Sequence, residues 1–475
     1  MHKEMKSILV RLALVFQLLL TVLFAEAYPV DPDTLMNLGL PVLLVETIDG
    51  EEPSCDYLSI ADGYPGNTIT NVAKVHGRLC VVERGDTLYD SGNFVKNESG
   101  MTIKIRGNSS AFYPKKPFKI KLQKKADLLF RGDKKYKDKD WVLLREDETS
   151  LNQMIALKLS CMMGLQWTPA ARYVNVVVNG DFRGLYLLCE SVKRNPDCRL
   201  DVDEEQGFII ERDAYWWNEA VYIESPIVGV KYTFKYPNDE DITEEKIDTA
   251  LQRITEMEKS IYAADYDEVI DVRSFAAWLL THDILGSADS GGSNMFLTWY
   301  DNEAKIMMGN IWDFDNIFSD EENWSLLHGW GGFYFKSLMN SRNRAFALAY
   351  KDCWYDVRDR LRGEMDAYLD SLLTDSVRMP LDASRQMDFA RWNVVVRHTV
   401  AYDVEKAKEW FAQHIVWLDD AIDAIPDDIS TAVELPQWAG QHKQMMTSPV
   451  FTLSGVKVQK PKGVFVIGGK LMLAK

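Results

Sequence analysis

The change in hydrophobic periodicity near residue 240 constrains the fold of this chain more than any other feature. Before it, Met101–Arg106 and Lys116–Leu122 alternate apolar and polar residues, the two-residue period of half-buried strands. After it, Glu244–Tyr262, Arg273–Leu285 and Asp403–Ile425 carry apolar residues at helical spacing. The sequence therefore predicts an α+β fold with two lobes, a strand-rich lobe followed by a helical one.

Two local signals refine this prediction. Asn179–Gly180 separates the strand-like runs Tyr173–Val178 and Gly184–Glu190, and Asn-Gly in this position is typical of a tight β-hairpin. Asp147–Ser150 provides N-cap residues for a helix that Gly164 would end. A hairpin and a preceding helix are therefore expected in the first half.

The amino-terminal segment is typical of a secretory signal peptide. Basic residues precede an apolar run, Leu12–Phe24, and Ala25–Ala27 forms a small-x-small cleavage site. A membrane anchor is the alternative, but the run is shorter than the about 20 apolar residues that span a bilayer. The mature chain is expected to begin near Tyr28, to be secreted and to have no transmembrane segment.

The charge of the chain argues against a nucleic-acid partner, and the spacing of its cysteines argues against a zinc site. The chain has 475 residues, with 54 basic against 71 acidic side chains and a net charge of −17. Such an acidic chain argues against nucleic acid. The six cysteines form no Cys-x-x-Cys pair, so a zinc site is not expected. Cys55–Cys80 and Cys189–Cys198 are the disulfide candidates nearest in sequence, and buried free thiols are the alternative.

The carboxyl-terminal segment Val450–Lys475 is basic and reads as short strands separated by glycine-containing turns. It resembles the last strands of the C-terminal sorting domains of type IX secretion substrates, but it departs from them at Ile467–Gly468, where Asn-Gly is usual. The resemblance implies export by that secretion machinery to the surface of a Gram-negative-type bacterium. A terminal hairpin without this role is the alternative.

Two acidic stretches contain the candidate catalytic and metal-binding residues of the chain. The first, Asp289–Asn294, places an amide five positions after a carboxylate, and the second contains Asp313 and Asp315. Phosphoryl transfer uses one carboxylate to orient the attacking hydroxyl, and an amide with a second carboxylate to hold Mg²⁺. An acid buried beside Trp312 and Phe314 would need such a partner. The alternative for these residues is a turn or a helix cap.

A possible phosphate-binding segment lies in the strand-rich half. Arg106–Ser110 follows a strand, and its small residues and exposed amides resemble those that bind anions. The strand after it offers Lys116, Lys119 and Lys121 as phosphate-pairing groups. An ordinary hairpin turn followed by solvated strand lysines is the alternative.

Five sequence blocks occur in the order found in the CotH-type kinases, the spore coat protein H family, and the resemblance spans roughly residues 40 to 340. The blocks are Arg106–Ser110, Lys115–Leu122, Gly184–Glu190, Asp289–Asn294 and Trp312–Asp315. The resemblance implies a two-lobed, atypical protein-kinase-like fold. It also implies that ATP and Mg²⁺ are the cofactors.

The resemblance assigns roles to individual residues. Asp289 would orient the substrate hydroxyl, Asn294 and Asp313 would hold Mg²⁺, and Asp315 would be a further or alternative ligand. The nucleotide-binding residues would be Arg106, Gly107, Asn108 and Ser109, one lysine among Lys116, Lys119 and Lys121, and the backbone from Leu188 to Glu190.

The domain boundaries follow from these observations. The signal peptide is expected over residues 1–27 and the kinase-like domain over 28–425, with lobes at about 40–235 and 240–425. A linker, 426–449, and a sorting tail, 450–475, complete the chain.

The leading functional hypothesis is a Mg²⁺-dependent Ser/Thr kinase that phosphorylates secreted or surface proteins or itself. One alternative is a non-catalytic, kinase-like adhesin or glycan-associated scaffold, in which Trp216–Trp217 and Trp330–Tyr334 would be exposed aromatic platforms. The other is a hydrolase that uses Asp313 and Asp315 as a carboxylate pair, although side chains two positions apart on an extended segment point to opposite faces.

Overall fold

The computed structural model describes residues 27–59, 67–145, 151–287, 293–318, 324–327, 333–393 and 398–428, together with four short strands in the tail. The residues before Ile429 form one compact unit, and the remainder forms a second. Residues 1–26, which hold most of the predicted signal peptide, and most of the predicted linker lie outside the described ranges. Within those ranges, no helix has the length and apolar character needed to cross a bilayer.

Ten strands lie before residue 191 in the described part of the chain. They are β1 (Val42–Thr47), β2 (Asp56–Leu58), β3 (Thr68–Thr70), β4 (Val75–Glu83), β5 (Asp86–Asp90), β6 (Met101–Ile105), β7 (Phe118–Ala126), β8 (Asp138–Arg145), β9 (Ala171–Val178) and β10 (Asp181–Glu190). The main sheet has the order β1-β9-β10-β8-β7-β6-β4-β5, and β4 also pairs with β1. This last pairing closes seven strands into a barrel, in which only β1 and β9 run parallel.

The barrel interior confirms the two-residue period read from the sequence. Ile103, Ile120 and Leu143 point inward into one apolar cluster, while Lys104 and Lys119 lie on the outer face. The predicted hairpin is also confirmed, since Asn179 and Gly180 take φ values of 53° and 79° between β9 and β10.

A second sheet combines strands from both sides of the predicted lobe boundary near residue 240. Its strands are β11 (Phe208–Arg212), β12 (Tyr222–Glu224), β13 (Lys231–Tyr236), β14 (Met295–Trp299) and β15 (Met307–Met308), in the order β12-β13-β11-β14-β15. Ile210 and Leu297 pack into the large helical core. Ile209 and Phe296 form a smaller cluster, against which Trp312 packs.

The helices are α1 (Pro32–Met36), α2 (Asn152–Met163), α3 (Glu244–Ala263), α4 (Val272–Leu285), α5 (Phe335–Met339), α6 (Ala345–Leu372), α7 (Asp375–Trp392) and α8 (Val400–Asp423). The three predicted long helices correspond to α3, α4 and α8, and α2 ends at Gly164 as expected. The capping residues predicted for α2, Asp147–Ser150, lie outside the described residues. The mixed α+β class is thereby confirmed.

The tail contains β16 (Val450–Thr452), β17 (Lys457–Val458), β18 (Gly463–Ile467) and β19 (Lys470–Ala474), in the order β17-β16-β18-β19. β18 and β19 pair antiparallel, which confirms the predicted terminal strands. Ser454–Gly455 and Gly468–Gly469, two of the predicted turns, lie outside the described residues.

All six cysteines are free thiols in this structure. The two candidate disulfides, Cys55–Cys80 and Cys189–Cys198, are therefore not formed. Cys189 and Cys353 are buried, which agrees with the alternative of buried thiols for these two.

Candidate functional site

Asn294 and Asp313 come together at one end of the second sheet. Asn294 directly precedes β14, and Asp313 follows β15. Because these strands are antiparallel neighbours, the start of one lies beside the end of the other. The Asn294 Nδ2 group donates a hydrogen bond to Asp313 Oδ2 at 3.1 Å. The strand pairing therefore joins two predicted metal ligands that lie far apart in sequence.

The backbone at both positions is unusual. Asn294 has a φ of 60° and Asp313 a φ of 67°, in the left-handed region that most side chains avoid. Asn and Asp tolerate this region better than other non-glycine residues. The residue types at these two positions therefore suit the backbone as well as the predicted chemistry.

Asp313 and Asp315 are both exposed, whereas Phe314 between them is buried. The Phe314 ring packs on His282, with the ring centroids 4.7 Å apart. The expectation of a buried acid beside Trp312 and Phe314 is thus wrong, because the aromatic ring takes the interior position. Because these carboxylates are exposed, no metal ion is needed to compensate for their burial. The argument for Mg²⁺ depends instead on the pairing of Asp313 with Asn294.

Asp289 lies outside the described residues, in the segment between α4 and β14. Both ends of that segment are described. Gly286 ends α4 with a φ of 59°, and Ser293 Oγ accepts a hydrogen bond from the Ala214 amide at 3.4 Å. The segment that contains Asp289 therefore begins at the end of α4 and returns to the second sheet beside Asn294.

Arg106 extends from the end of β6 toward the Asp313 segment. Its guanidinium carbon lies 5.9 Å from the centroid of the Trp312 ring. Burial lowers the pKa of Arg106, and the carboxylates of Asp313 and Glu211 oppose this shift. Arg106 of the barrel and Asp313, in the segment after the second sheet, thus interact electrostatically.

The connection after Arg106 is compact. Gly107 has a φ of 87°, and a Cβ there would overlap Ser110 Oγ, so the turn requires glycine. Asn108 Oδ1 accepts a hydrogen bond from Thr68 Oγ1 at 2.6 Å. Ser109 is exposed and opens a short 3₁₀ turn. Gly107, Asn108 and Ser109 therefore lie in an ordered connection directly after Arg106.

The three candidate lysines lie in different surroundings. Lys116 Nζ donates to the Ala111 carbonyl at 2.7 Å and lies 4.8 Å from the Tyr57 ring centroid, so it folds back onto its own loop. Lys121 is exposed. Lys119 is half-buried on the outer barrel face, where its Nζ lies 3.7 Å from Asp140 Oδ1. Lys119 and Lys121 both lie on the outer barrel face that Arg106 continues, and Lys119 is the half-buried one of the two.

Leu188 and Glu190 have structural positions on β10. Leu188 points into the barrel core, and its backbone pairs with strands on both sides. The Glu190 amide donates to the Ala170 carbonyl at 3.0 Å, and its buried carboxylate accepts from Arg131 Nη2 at 2.9 Å. Because these groups are occupied within the fold, we do not include Leu188 or Glu190 in the site proposed below.

Two charged residues near this site were missed by the sequence analysis. Glu211 on β11 is buried, and Lys235 Nζ lies 2.7 Å from Glu211 Oε2. Burial raises the pKa of Glu211, while nearby Lys235 lowers it. The one available signal was a carboxylate at the end of the apolar run Phe208–Ile210. The pair lies within electrostatic range of Arg106 through Glu211.

The oxygen donors that are present suit Mg²⁺. In the described part of the chain, no group of three or more His, Cys, Asp or Glu side chains is placed to hold a metal. Magnesium commonly takes only one or two protein carboxylates and fills its remaining positions with water and substrate phosphates. Asn294 and Asp313 therefore fit magnesium better than a metal that needs a complete protein cage.

The aromatic residues suggested as glycan platforms are not exposed where they are described. Trp216 and Trp217 are partly buried, and the Trp216 ring packs on Tyr222 with centroids 4.7 Å apart. Phe333 and Tyr334 are buried, and Trp330 lies outside the described residues. Core packing therefore accounts for Phe333 and Tyr334, while Trp216 and Trp217 are partly buried.

Comparison with known proteins gives one family. The CotH kinase protein family model matches residues 103–411, a range that contains every predicted site residue. No curated protein matches the chain. Among solved structures, a Helicobacter pylori proinflammatory kinase, CtkA, matches with 10% identity over 75% of this chain and 96% of that chain. The TM-score of this match is 0.26. Because the family match covers well over half of the sequence, this chain belongs to the CotH kinase protein family.

Proposed function

We propose that this protein is a Mg²⁺-dependent kinase that transfers the γ-phosphoryl group of ATP to Ser or Thr hydroxyls. The observation that carries the proposal is the convergence of Arg106, Asn294 and Asp313 within the region matched by the kinase family. Little covalent chemistry is required of a protein that catalyses phosphoryl transfer, because catalysis depends on positioning and charge stabilisation. A cation, an amide and a carboxylate brought together by the fold support this function.

Asn294 and Asp313 would hold the metal through their side-chain oxygens, and Asp315 would be a further or alternative ligand. When bound, Mg²⁺ neutralises negative charge on the phosphates. Asp313 Oδ2 accepts the hydrogen bond from Asn294 Nδ2, so Asp313 would bind the metal through Oδ1 or through the second lone pair of Oδ2. Asn294 directly precedes β14, and its Nδ2 group lies 3.1 Å from Asp313 Oδ2.

The barrel would supply the phosphate contacts. Arg106 and Lys119 lie on its outer face, and the connection formed by Gly107, Asn108 and Ser109 follows Arg106 directly. Asp289 would accept or orient the substrate hydroxyl. In this arrangement the barrel is the first lobe, the second sheet with its helices is the second lobe, and the nucleotide binds between them.

The substrates would be secreted or surface proteins, or the kinase itself. This part of the proposal is supported by the signal-peptide pattern of residues 1–27 and by the likeness of residues 450–475 to sorting tails. We propose export by the corresponding secretion machinery to the surface of a Gram-negative-type bacterium. In this proposal the boundary between the lobes moves from about residue 240 to the connection between β10 and β11, because β11, β12 and β13 belong to the second sheet. The other domain boundaries predicted from the sequence are kept.

The test uses the purified chain from Tyr28 onward. ATP binding is measured with and without Mg²⁺, and phosphate incorporation is followed in the chain and in added protein substrates. Asp289→Ala and Asp313→Ala are expected to abolish incorporation, and Asp313→Ala is also expected to abolish the Mg²⁺-dependent part of ATP binding. Glu303→Gln removes a charge from the turn at the opposite end of the β14–β15 hairpin and is the control, with activity expected to remain unchanged.

Each result separates the hypotheses. Incorporation that disappears in both alanine variants and persists in the control supports the kinase. Nucleotide binding without transfer to any substrate would favour a non-catalytic, kinase-like scaffold. Absence of nucleotide binding by the unmodified chain would reject the proposed function.

A further inference from the structure

The segment that begins at Tyr28 is attached to the barrel by its backbone. Pro29 forms an antiparallel β-bridge with Asp181, and the Phe182 amide donates a hydrogen bond to the Tyr28 carbonyl at 3.1 Å. Asp181 and Phe182 are the first two residues of β10, directly after the turn that joins it to β9. The predicted start of the mature chain therefore lies against the start of β10.

Apolar side chains of the same segment cover the outer face of the barrel. Leu35 is fully buried in a cluster with Val42 of β1, Val177 of β9 and Phe182 of β10, and Tyr28 packs against this cluster. β1 and β9 are the parallel pair of the barrel. Apolar area that is removed from water in this way stabilises the fold. The segment thus covers the contact between β1 and β9.

Tyr28 places its backbone nitrogen against a buried carboxylate. The nitrogen lies 2.6 Å from Asp181 Oδ1, and Asp181 is 7% exposed. Tyr28 is half-buried, whereas Ala27 before it is exposed. While Tyr28 is bonded to Ala27, this nitrogen is a neutral amide with one N–H donor. A free α-amino group at the same place would bring three donors and a positive charge to Asp181.

Two arginines meet the other oxygen of Asp181. Asp181 Oδ2 lies 3.2 Å from Arg183 Nε and 3.4 Å from Arg391 Nη2. Arg183 has a second partner, because its Nη2 lies 2.5 Å from Glu52 Oε2. Arg391 belongs to α7, and its guanidinium lies 5.9 Å from the centroid of the Tyr28 ring. Asp181 therefore directs Oδ1 to the Tyr28 nitrogen and Oδ2 to the arginines.

We propose that removal of the signal peptide creates an α-ammonium group at Tyr28 that forms a buried ion pair with Asp181. This inference rests on the signal-peptide part of the proposed function and is independent of kinase activity. In the hydrolysis, the C–N bond between Ala27 and Tyr28 breaks, and the hydroxyl of a water molecule joins the Ala27 carbonyl carbon. The proton released by the new carboxyl group passes to the Tyr28 amine.

The ion pair joins three parts of the fold. Through Asp181 it attaches the amino-terminal segment to β10, and through Arg391 the same carboxylate contacts α7. Charges that are shielded from water attract each other more strongly than exposed ones. Processing of the precursor therefore strengthens the attachment of the segment that covers β1 and β9. Asp181 thereby gains a role that the sequence analysis did not indicate.

The test compares two purified chains that differ by one residue. One begins at Tyr28, released from a fusion by a protease that leaves no extra residue, and the other begins at Ala27. Because Ala27 is exposed, the added residue fits, and the main change at the site is from an ammonium group to an amide. The thermal unfolding midpoint of the Ala27 chain should be lower by about 2 °C, as measured by calorimetry.

Asp181→Asn, introduced into both chains, assigns the effect to the carboxylate. The asparagine oxygen still accepts a hydrogen bond but carries no charge, so the difference between the two chains should disappear. Asp33→Asn removes an exposed carboxylate from the same segment and is the control, in which the difference should remain about 2 °C. Far-UV circular dichroism of each variant verifies that it is folded.

Chemical labelling of the α-amino group gives a second measurement that does not require Asp181→Asn to fold. At pH 7, an amine-reactive ester modifies only the unprotonated amine. The α-amino group of the Tyr28 chain should react about tenfold more slowly than that of the Ala27 chain, since the ion pair favours the protonated form. Mass spectrometry of the amino-terminal peptide measures both rates, and the same method identifies the first residue of the exported protein, expected to be Tyr28.

Each outcome supports or overturns the inference. Equal unfolding midpoints and equal labelling rates of the two chains would overturn the ion pair and leave the predicted cleavage intact. A difference that persists in folded Asp181→Asn would overturn the role of Asp181. An exported protein that begins at another residue would reject both the predicted cleavage and the inference. Absence of phosphoryl transfer, with the differences between the chains present, supports the ion pair and rejects only the kinase.

Discussion

Asp283, near the end of α4, is a buried carboxylate held by two hydrogen bonds. Its Oδ1 accepts from the Leu327 amide and its Oδ2 from the Tyr350 hydroxyl, both at 2.7 Å. Burial raises the pKa of Asp283 to about 7 because the charged form loses its solvation. This residue therefore links folding stability to pH across the neutral range.

The sign of that linkage can be predicted. Between pH of about 4 and 7, the unfolded chain has released the Asp283 proton and the folded chain retains it, so this group lowers stability as pH rises. Asp283→Asn removes the effect. From pH 4.5 to 7, the free energy of unfolding of the variant should rise relative to the parent by about 1–3 kcal/mol, as measured by urea denaturation.

Two buried histidines change the folding stability with pH in the opposite direction. The effect of Asp283 is therefore measured as the difference between Asp283→Asn and the parent. Burial lowers the pKa of His282 to about 3 and that of His414 to about 4. Both contribute stability that increases as pH rises toward their unfolded value near 6.5. A constant difference between Asp283→Asn and the parent over this pH range would contradict the role assigned to Asp283.

At the scale of elements, a buried ion pair attaches α7 to the barrel. Lys115 Nζ lies 2.9 Å from Asp388 Oδ1 and 3.0 Å from Oδ2, and Oδ1 also accepts from the Leu185 amide at 2.9 Å. Gly184 leaves the space for this carboxylate, since a Cβ there would overlap Asp388 Oδ1. Lys115 directly precedes Lys116, so the pair also holds the end of the connection that follows Arg106.

Asp388→Ala is expected to lower the free energy of unfolding by about 3–5 kcal/mol, because Lys115 would remain buried without its counterion. Lys115→Met combined with Asp388→Leu should recover part of this loss, because no charge is then buried. Chemical denaturation of the parent and the two variants measures both effects. A double variant less stable than Asp388→Ala would contradict this explanation.

Barrel closure depends on close contact between β1 and β4. Gly77 pairs with Thr47, and a Cβ at Gly77 would overlap the Glu46 carbonyl oxygen, which belongs to the backbone and cannot move aside. Gly77→Ala should therefore lower the free energy of unfolding by about 1–3 kcal/mol in urea denaturation.

Gly363, within α6, is the matched control. Nothing lies near the position of an added Cβ, so Gly363→Ala should raise the free energy of unfolding by about 0.5–1 kcal/mol. Equal effects of the two glycine substitutions would show that the β1–β4 contact does not limit closure.

At the scale of the whole molecule, Ile429–Lys475 is grouped as a compact unit of its own, which includes the tail. The first unit uses its own last residues, since Lys351 Nζ donates to Ile425 O at 3.1 Å and to Asp427 Oδ1 at 2.6 Å. A chain that ends after Asp428 keeps these contacts. It should show the same thermal unfolding midpoint as the longer chain, within about 2 °C. A large decrease would mean that the tail stabilises the first unit.

The same truncation tests the sorting proposal in cells. Loss of residues 450–475 should leave the protein unsecreted while its folding is unchanged, as measured by fractionation and immunoblotting. A truncated protein that still reaches the surface would contradict a sorting role for the tail.

The sequence by itself determined features that depend on neighbours along the chain. Alternation at Phe118, Ile120 and Leu122 predicted which side of β7 is buried, and Asn179–Gly180 predicted the hairpin of β9 and β10. Both signals are local, because side-chain periodicity and turn conformation depend on neighbours along the chain. The acidic motifs and the family resemblance likewise follow from short segments read in order.

Only the tertiary structure decided which distant residues meet. Val42 pairs with Asn175 in the parallel contact of β1 and β9, and this closure has no signal in either strand alone. The pairing of β14 with β15 brings Asn294 to Asp313, and the register of β6, β7 and β8 places Lys104, Lys119 and Asp140 on one face. Strand order and register depend on the packing of the whole core, so periodicity identifies the faces of each strand and leaves its partners open.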